Sequence, residues 1–124
     1  MAHAGLEGLE VWRESREFAK FNCVELVPRL PPEERFALAS QIRRSAQNVP
    51  ANSAEAYGRF HHADAVRCCY VARGSLEETW SHMILAKEMG YWTELDLTEM
   101  RVTYVKLLRL LNGHIAYLRR QSKG

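Results

Sequence analysis

Apolar residues recur at intervals of three and four along nearly the whole chain, the spacing of one face of a helix. Val11, Trp12, Phe18, Ala19, Cys23 and Leu26, with Ser15 and Asn22 in phase, mark the first helix, and Leu30 followed by Pro31 and Pro32 stops it. The two prolines suit a tight connection and a helix start. Glu33 and Glu34 then fall in the first turn of a second helix, where the macrodipole favours acids. Phe36, Ala39, Ile42, Ala46, Val49, Ser53, Tyr57 and Phe60 keep their phase across Pro50. That predicts a continuous helix kinked at Pro50, which cannot donate to the Ala46 carbonyl and costs about 3 kcal/mol, to be recovered by packing. The small residues Ser45, Ala46, Ala51, Ser53, Ala54 and Ala56 let a neighbouring backbone come close. Two helices with a turn at residues 48–52, the second capped by Asn52, remain the alternative, because the residue before a proline is biased away from helix.

Gly58 marks the end of this segment, and Arg59, Phe60, His61 and His62 form a turn, with Asp64 close to the next start. A third helix carries Ala65, Cys69, Ala72, Leu76, Trp80, Met83 and the stem of Lys87, and closes at Met89 and Gly90. Thr93 is expected to cap a fourth, with Glu94 and Asp96 in its first turn and a core face of Leu97, Met100, Tyr104, Leu107, Leu111, Ile115 and Leu118. No segment alternates with a period of two. The fold expected is all-α, an antiparallel up-down-up-down four-helix bundle in a single domain over 1–124.

A chain of 124 residues buries about two thirds of its unfolded surface, enough for an unstapled core. No run approaches the roughly eighteen apolar residues of a membrane span, and the acidic MAHAGLEGLE start lacks the apolar centre of a signal peptide, so a cytoplasmic protein with no membrane partner is expected. Cys23, Cys68 and Cys69 are odd in number and two are adjacent. They read as small buried hydrophobes, not a disulfide framework.

The net charge of +2 hides a strong asymmetry: residues 74–99 carry −5 and residues 100–124 carry +6. Thirteen of the seventeen cations are arginine, which forks onto phosphate and stacks on bases. Arg43, Arg44, Arg59, Arg67, Arg73, Arg109, Arg119 and Arg120, in a basic background that includes Arg101, Lys106 and Lys123, are the candidate nucleic-acid contacts. Against that, Glu55 precedes Arg59 by four and Asp64 precedes Arg67 by three, so carboxylates can absorb part of the set. A pI near 8.5 is low for a dedicated nucleic-acid binder. Repetition in a ring turns a weak patch into a multivalent one. Helices three and four also carry apolar residues beyond one core face. Val66, Tyr70, Ile84, Val105 and Leu108, with Val71, are candidates for an oligomer interface, and Tyr91 and Trp92 for aromatic anchors or helix-end packing.

No catalytic machinery is legible. Glu78 and His82 are four apart, not the three of a di-iron Glu-x-x-His pair, and have no second copy. His61, Asp64 and Cys68 share a helical face but read better as turn and packing residues than as a metal site. Gly74 and Ser75 lack the G-x-S-x-G context, and no glycine-rich phosphate loop occurs. The chain is therefore expected to be no enzyme and to need no metal or cofactor.

LEVW at 9–12, SQIRRSA at 40–46, VPANSAEAYGR at 49–59, GSLEE at 74–78 and AKEMGY at 86–91 resemble, in order and spacing, the four-helix-bundle family encoded in intervening sequences of bacterial 23S ribosomal RNA genes. The likeness spans nearly the whole chain. A more distant one is to the accessory variability protein of diversity-generating retroelements, which binds nucleic acid and a reverse transcriptase. The resemblance implies a cytosolic homopentamer without known catalytic activity. The sequence departs from the family pattern at Ser53, where an aliphatic residue is usual, at Ala56, where glycine is, and at Thr79 and Trp80, where leucine and glutamate are more frequent. Two functions follow as expectations: an oligomeric scaffold binding structured RNA or DNA through repeated arginine patches, or a structural or protein-binding oligomer whose charges only solubilise it.

Overall fold

In the computed structural model, which describes residues 5–59 and 61–123 apart from the side chains of 122 and 123, these periodicities become four α-helices and no strand. They are α1 (Glu10–Lys20), α2 (Leu38–Gly58), α3 (His62–Glu88) and α4 (Thr98–Lys123).

The first rod does not stop at Lys20. Phe21 keeps helical angles, and the chain widens into a π-helical stretch over Phe21–Leu26 before a 3-10 turn at Val27–Arg29. Widening the turn disturbs the regular backbone ladder, and the Asn22 side chain steps in, its Nδ2 donating to the Phe18 carbonyl at 3.0 Å. Asn22 and Leu26 are both fully buried, so the apolar face survives the change of pitch. Leu30 and Pro31 then turn extended (ψ 150° and 155°), each forced out of the helical region by the proline that follows it.

α2 begins later than its acids imply. Residues Pro32–Glu34 form a 3-10 turn, and Ala37 leaves the helical region at φ −120°, ψ −98°. That break puts Phe36 out of phase with Ala39: it is 86% exposed, not in the core. Tyr57 is likewise outside the core and Ala56 takes its place. Two successive steps of four, from Val49 to Ser53 to Tyr57, drift about 80° at 100° per residue, whereas Ala56 returns to within about 20°. Phe60 lies outside the described residues.

The helix continues through Pro50, which overturns the alternative of a turn at residues 48–52. Asn52 is no cap. Its Nδ2 donates to the Asn48 carbonyl at 2.8 Å, and Ser53 Oγ donates to the Val49 carbonyl at 2.9 Å, so side chains brace the backbone beside the missing donor. Pro50→Ala restores the lost N–H but frees the unfolded chain. It is expected to raise the unfolding free energy by about 2 kcal/mol in a urea titration. A fall in stability would mean that the neighbouring helices need the ring.

His62 belongs to α3, not to the preceding turn, and α3 ends as expected. Gly90 adopts φ +89°, with Gly90 N–H donating to Lys87 O and Tyr91 N–H to Ala86 O, a left-handed closure that a β-carbon would strain. α4 starts five residues after Thr93. Asp96 caps it instead, its Oδ1 accepting from the Thr98 backbone N–H at 2.9 Å and from the Thr98 hydroxyl. Those two bonds, with Lys87 nearby, hold the Asp96 carboxyl below the usual range. Thr93 is exposed, and among the described residues its hydroxyl meets only its neighbour Glu94.

The main core gathers Phe18, Leu26, Ile42, Val49, Leu76, Met83, Trp92, Leu107 and Leu111 from all four helices and the connections beside them. A smaller cluster, Ala56, Ala65, Cys68, Cys69, Ile115 and Leu118, joins the end of α2 to the start of α3 and the end of α4. Between α2 and α3 the unusual Thr79 finds a use. Its hydroxyl donates to the Ser75 carbonyl at 2.7 Å and lies 2.7 Å from Ser45 Oγ on α2. Ser53 Oγ lies 3.4 Å from Ser15 Oγ on α1. Small hydroxyls at these contacts satisfy themselves locally and let the helices approach. Trp80 stacks on Tyr104 with ring centroids 5.0 Å apart and planes 13° apart.

Candidate nucleic-acid interface

The tertiary arrangement sorts the eight candidate arginines by the company each keeps. On the α2–α3 side carboxylates take most of them. Arg44 pairs with Glu78 and also donates to Gln41 Oε1 at 2.9 Å. Arg67 meets Asp64 at 2.7 Å and Arg59 meets Glu55 at 3.7 Å. The Cys68 thiol, then Glu55, hold the Arg59 pKa above its ordinary value. Exposed pairs of this kind mask charge without adding much stability. Arg43 is exposed beside Val27, Leu30 and Phe36, in a depression of about 460 Å³, and makes no ion pair among the described residues.

The α4 side is different. From Met100 to the end of the chain there is no acidic residue. Lys106 is taken by Glu10 at 3.6 Å and Glu14 at 3.3 Å on α1. Arg109 and Arg120 are exposed and make no ion pair among the described residues. Eleven residues apart, they face the same way on α4, about 16 Å along its axis. Arg101, Val102, Val105, Lys106 and Arg109 line a depression of about 460 Å³ on that surface. His114, nearby on the same helix, is pushed by burial below its ordinary pKa and is therefore neutral at pH 7.

Arg73 and Arg119 both meet Tyr70. Arg73 sits with its guanidinium carbon 4.9 Å from the centre of the Tyr70 ring and donates to Asn112 Oδ1 at 2.8 Å. Arg119 Nη1 donates to the Tyr70 hydroxyl at 2.9 Å. Nothing in linear spacing brings Tyr70 to Arg119, forty-nine residues away. The one local signal is the three-residue step from Tyr70 to Arg73.

Of the apolar candidates, Leu108 packs against the main core and Val66 against the smaller cluster. Val105 is half-buried, and Tyr70 and Ile84 stand at the surface. Val71, Leu85 and Met89 fall on one line of α3, and Val102 is exposed on α4; Leu85, Met89 and Val102 were not singled out by their spacing. Trp92 is fully buried and so packs the core; it offers no anchor to a partner. Tyr91 is half-buried, with its hydroxyl donating to Glu34 Oε2 at 2.6 Å.

His61, Asp64 and Cys68 do not converge on one point. Asp64 holds Arg67, while Cys68 Sγ lies 3.8 Å from Glu55 Oε2. Cys68 and Cys69 are buried, and burial, then Cys68, pushes the Cys69 thiol up to about 11. Cys23 is only half-buried, a departure from the reading of all three as buried. Among the described residues no helix is long and apolar enough to cross a membrane.

Residues 7–113 match the family model described as 23S rRNA-intervening sequence protein. No curated protein matches the chain.

Proposed function

The chain belongs to the 23S rRNA-intervening sequence protein family, and from that premise we propose that it is a non-enzymatic oligomeric scaffold that binds structured RNA or DNA through repeated arginine patches. One observation carries this reading. Arg109 and Arg120 stand on the stretch of α4 beyond Glu99, which carries no acid of its own, and make no ion pair among the described residues, while the arginines of α2 and early α3 are largely masked by Glu55, Asp64 and Glu78. A surface meant only for solubility gains nothing from such segregation, because mixed signs serve that purpose better. A polyanion does gain from it.

The finer architecture proposed with it is antiparallel and up-down-up-down, bent at Pro50. Contacts that pair a rising residue number with a falling one support it: Ser15 with Ser53 and Cys23 with Gln47, Ser45 with Thr79 and Glu55 with Cys68, Glu77 with Tyr104 and Tyr70 with Arg119. Parallel neighbours in a crystal structure would overturn it. Assembly is supported by the exposed line of Val71, Leu85 and Met89 and by Val102, which a lone bundle leaves in water. The number five comes from the family likeness alone, and the cytoplasm is the proposed location.

The test is binding of a folded RNA hairpin and of duplex DNA across a salt series, with the solution mass measured on the same sample. The expected result is a mass that is a multiple of 14.3 kDa and an affinity that falls about tenfold or more between 50 and 200 mM salt. No retention at 50 mM salt favours the structural or protein-binding oligomer instead. A monomeric mass at high protein concentration removes the scaffold.

A further inference from the structure

Resting on the oligomeric reading above, we propose that copies of this chain assemble head-to-tail: Phe36 of one subunit enters the depression lined by Trp80, Ile84 and Leu97 on the next. Phe36 is the most exposed of the large apolar side chains among the described residues, at 86%. The break at Ala37 turns it out of the core, and the Arg35 guanidinium carbon lies 5.1 Å from its ring centre. Arg43 stands beside it, and neither arginine makes an ion pair among the described residues. The surface thus offers a phenyl ring flanked by two cations.

The complementary feature lies between α3 and α4. A depression of about 570 Å³ there has Trp80, Ile84 and Leu97 as its apolar lining, with Ile84 38% exposed and Trp80 held flat against Tyr104. Glu88 and Asp96 stand on its wall, and residues 88–100 contain four acids and no base. Of its two cations, Lys87 is engaged by the Leu95 carbonyl, and Arg101 brings a guanidinium that an entering aromatic ring can face. An apolar hollow beside acids fits an aromatic knob between arginines, in shape and in sign.

The placement of the two features points to a second copy and not to a foreign peptide, which would need only one of them. Tyr91 donates to Glu34 at 2.6 Å, so the α1–α2 and α3–α4 connections lie at one end of the molecule. α1 packs against α2 and α4, and α3 packs against the same two helices. The knob on the α1–α2 edge and the hollow on the α3–α4 edge therefore stand on opposite sides. Copies standing the same way up bring knob to hollow at one level, and each subunit gives one contact and takes one. Such a heterologous contact closes a ring when the rotation between neighbours divides a full turn. Arg109 and Arg120 line neither feature, so the basic face of α4 lies outside the contact.

The test is the solution mass of the full chain, of Phe36→Ser, of Ile84→Lys, and of those two variants mixed in equal amounts, with helicity followed by circular dichroism. Wild type is expected above twice 14.3 kDa, because head-to-tail contacts close only in rings larger than a pair. Each variant alone is expected to fall to 14.3 kDa with wild-type helicity, because losing a central anchor weakens such a contact roughly thirtyfold or more. The mixture is expected to recover a species of twice the monomer mass and no larger, since Ile84→Lys still carries the knob and Phe36→Ser still carries the hollow. Ile84→Gln takes the place of Ile84→Lys if the lysine costs helicity. A wild type that stops at a pair, a variant that alone keeps the wild-type mass, or a mixture that stays monomeric overturns the head-to-tail contact while leaving assembly through another face intact. A wild type that is monomeric at high protein concentration removes the oligomeric reading, and this contact with it.

Discussion

Trp92→Ala is expected to lower the unfolding free energy by about 3 to 5 kcal/mol. Trp92 lies in the connection between α3 and α4, two residues past the left-handed Gly90, and is fully buried within the main core cluster. Truncation leaves a hole as large as an indole in a place where the surrounding helices cannot close up. The same residue carries a cost of its own, because its Nε1 is buried without a hydrogen-bond partner among the described residues. Trp92→Phe removes that orphan donor and keeps most of the ring. It should therefore fall well short of the alanine loss, by about 2 kcal/mol or more. Urea denaturation followed by circular dichroism reads both. A loss under 1 kcal/mol for Trp92→Ala would mean that the connection is not pinned into the core as described. The consequence reaches function: Trp92 and the Asp96 cap set where α4 begins, and hence where its arginines stand.

The second large effect is electrostatic. Arg109→Glu combined with Arg120→Glu is expected to weaken nucleic-acid binding about two-hundredfold at 50 mM salt and to reduce the salt slope by about two. Each phosphate contact contributes a slope near 0.9, or roughly fifteenfold at that salt, and this pair supplies two contacts. Both side chains are exposed and make no ion pair among the described residues, so stability should move by less than about 0.5 kcal/mol. Arg59→Glu and Arg67→Glu form the natural control. Their charges are already half-cancelled by Glu55 and Asp64, and their loss should cost several-fold less. Equal losses from the two pairs would show that masking by carboxylates is irrelevant and that only total charge counts.

The helices themselves were legible in the chain because burial selects residues at the helical period, and that selection is local. Leu76, Met83, Leu107, Leu111 and Ile115 stand inside where the spacing placed them. Misplacements arose where the local backbone left the ideal period. Phe36 precedes the break at Ala37, Tyr57 sits at the end of a drifting stripe, and Thr93 lost the cap to Asp96 because the chain stays out of helix until Thr98. The π-helical stretch at Phe21–Leu26 had no signal either, since it preserves the apolar face that the spacing records.

The candidate interface was legible only as a list. That the arginines are many, that they crowd toward α4, and that Glu55 and Asp64 stand three or four residues from Arg59 and Arg67 all follow from linear spacing. Which of the others meets a carboxylate does not. Arg44 finds Glu78 thirty-four residues away, and Arg119 finds Tyr70 forty-nine away. Those meetings depend on how α3 is rotated about its axis and how far α4 slides along it, and a shift of one residue turns a side chain by 100°. Period and charge are properties of a single rod and were determined by the sequence itself. Masked and open cations, and the phenol held between two guanidiniums, are properties of two rods in register, and only the packed core sets that register.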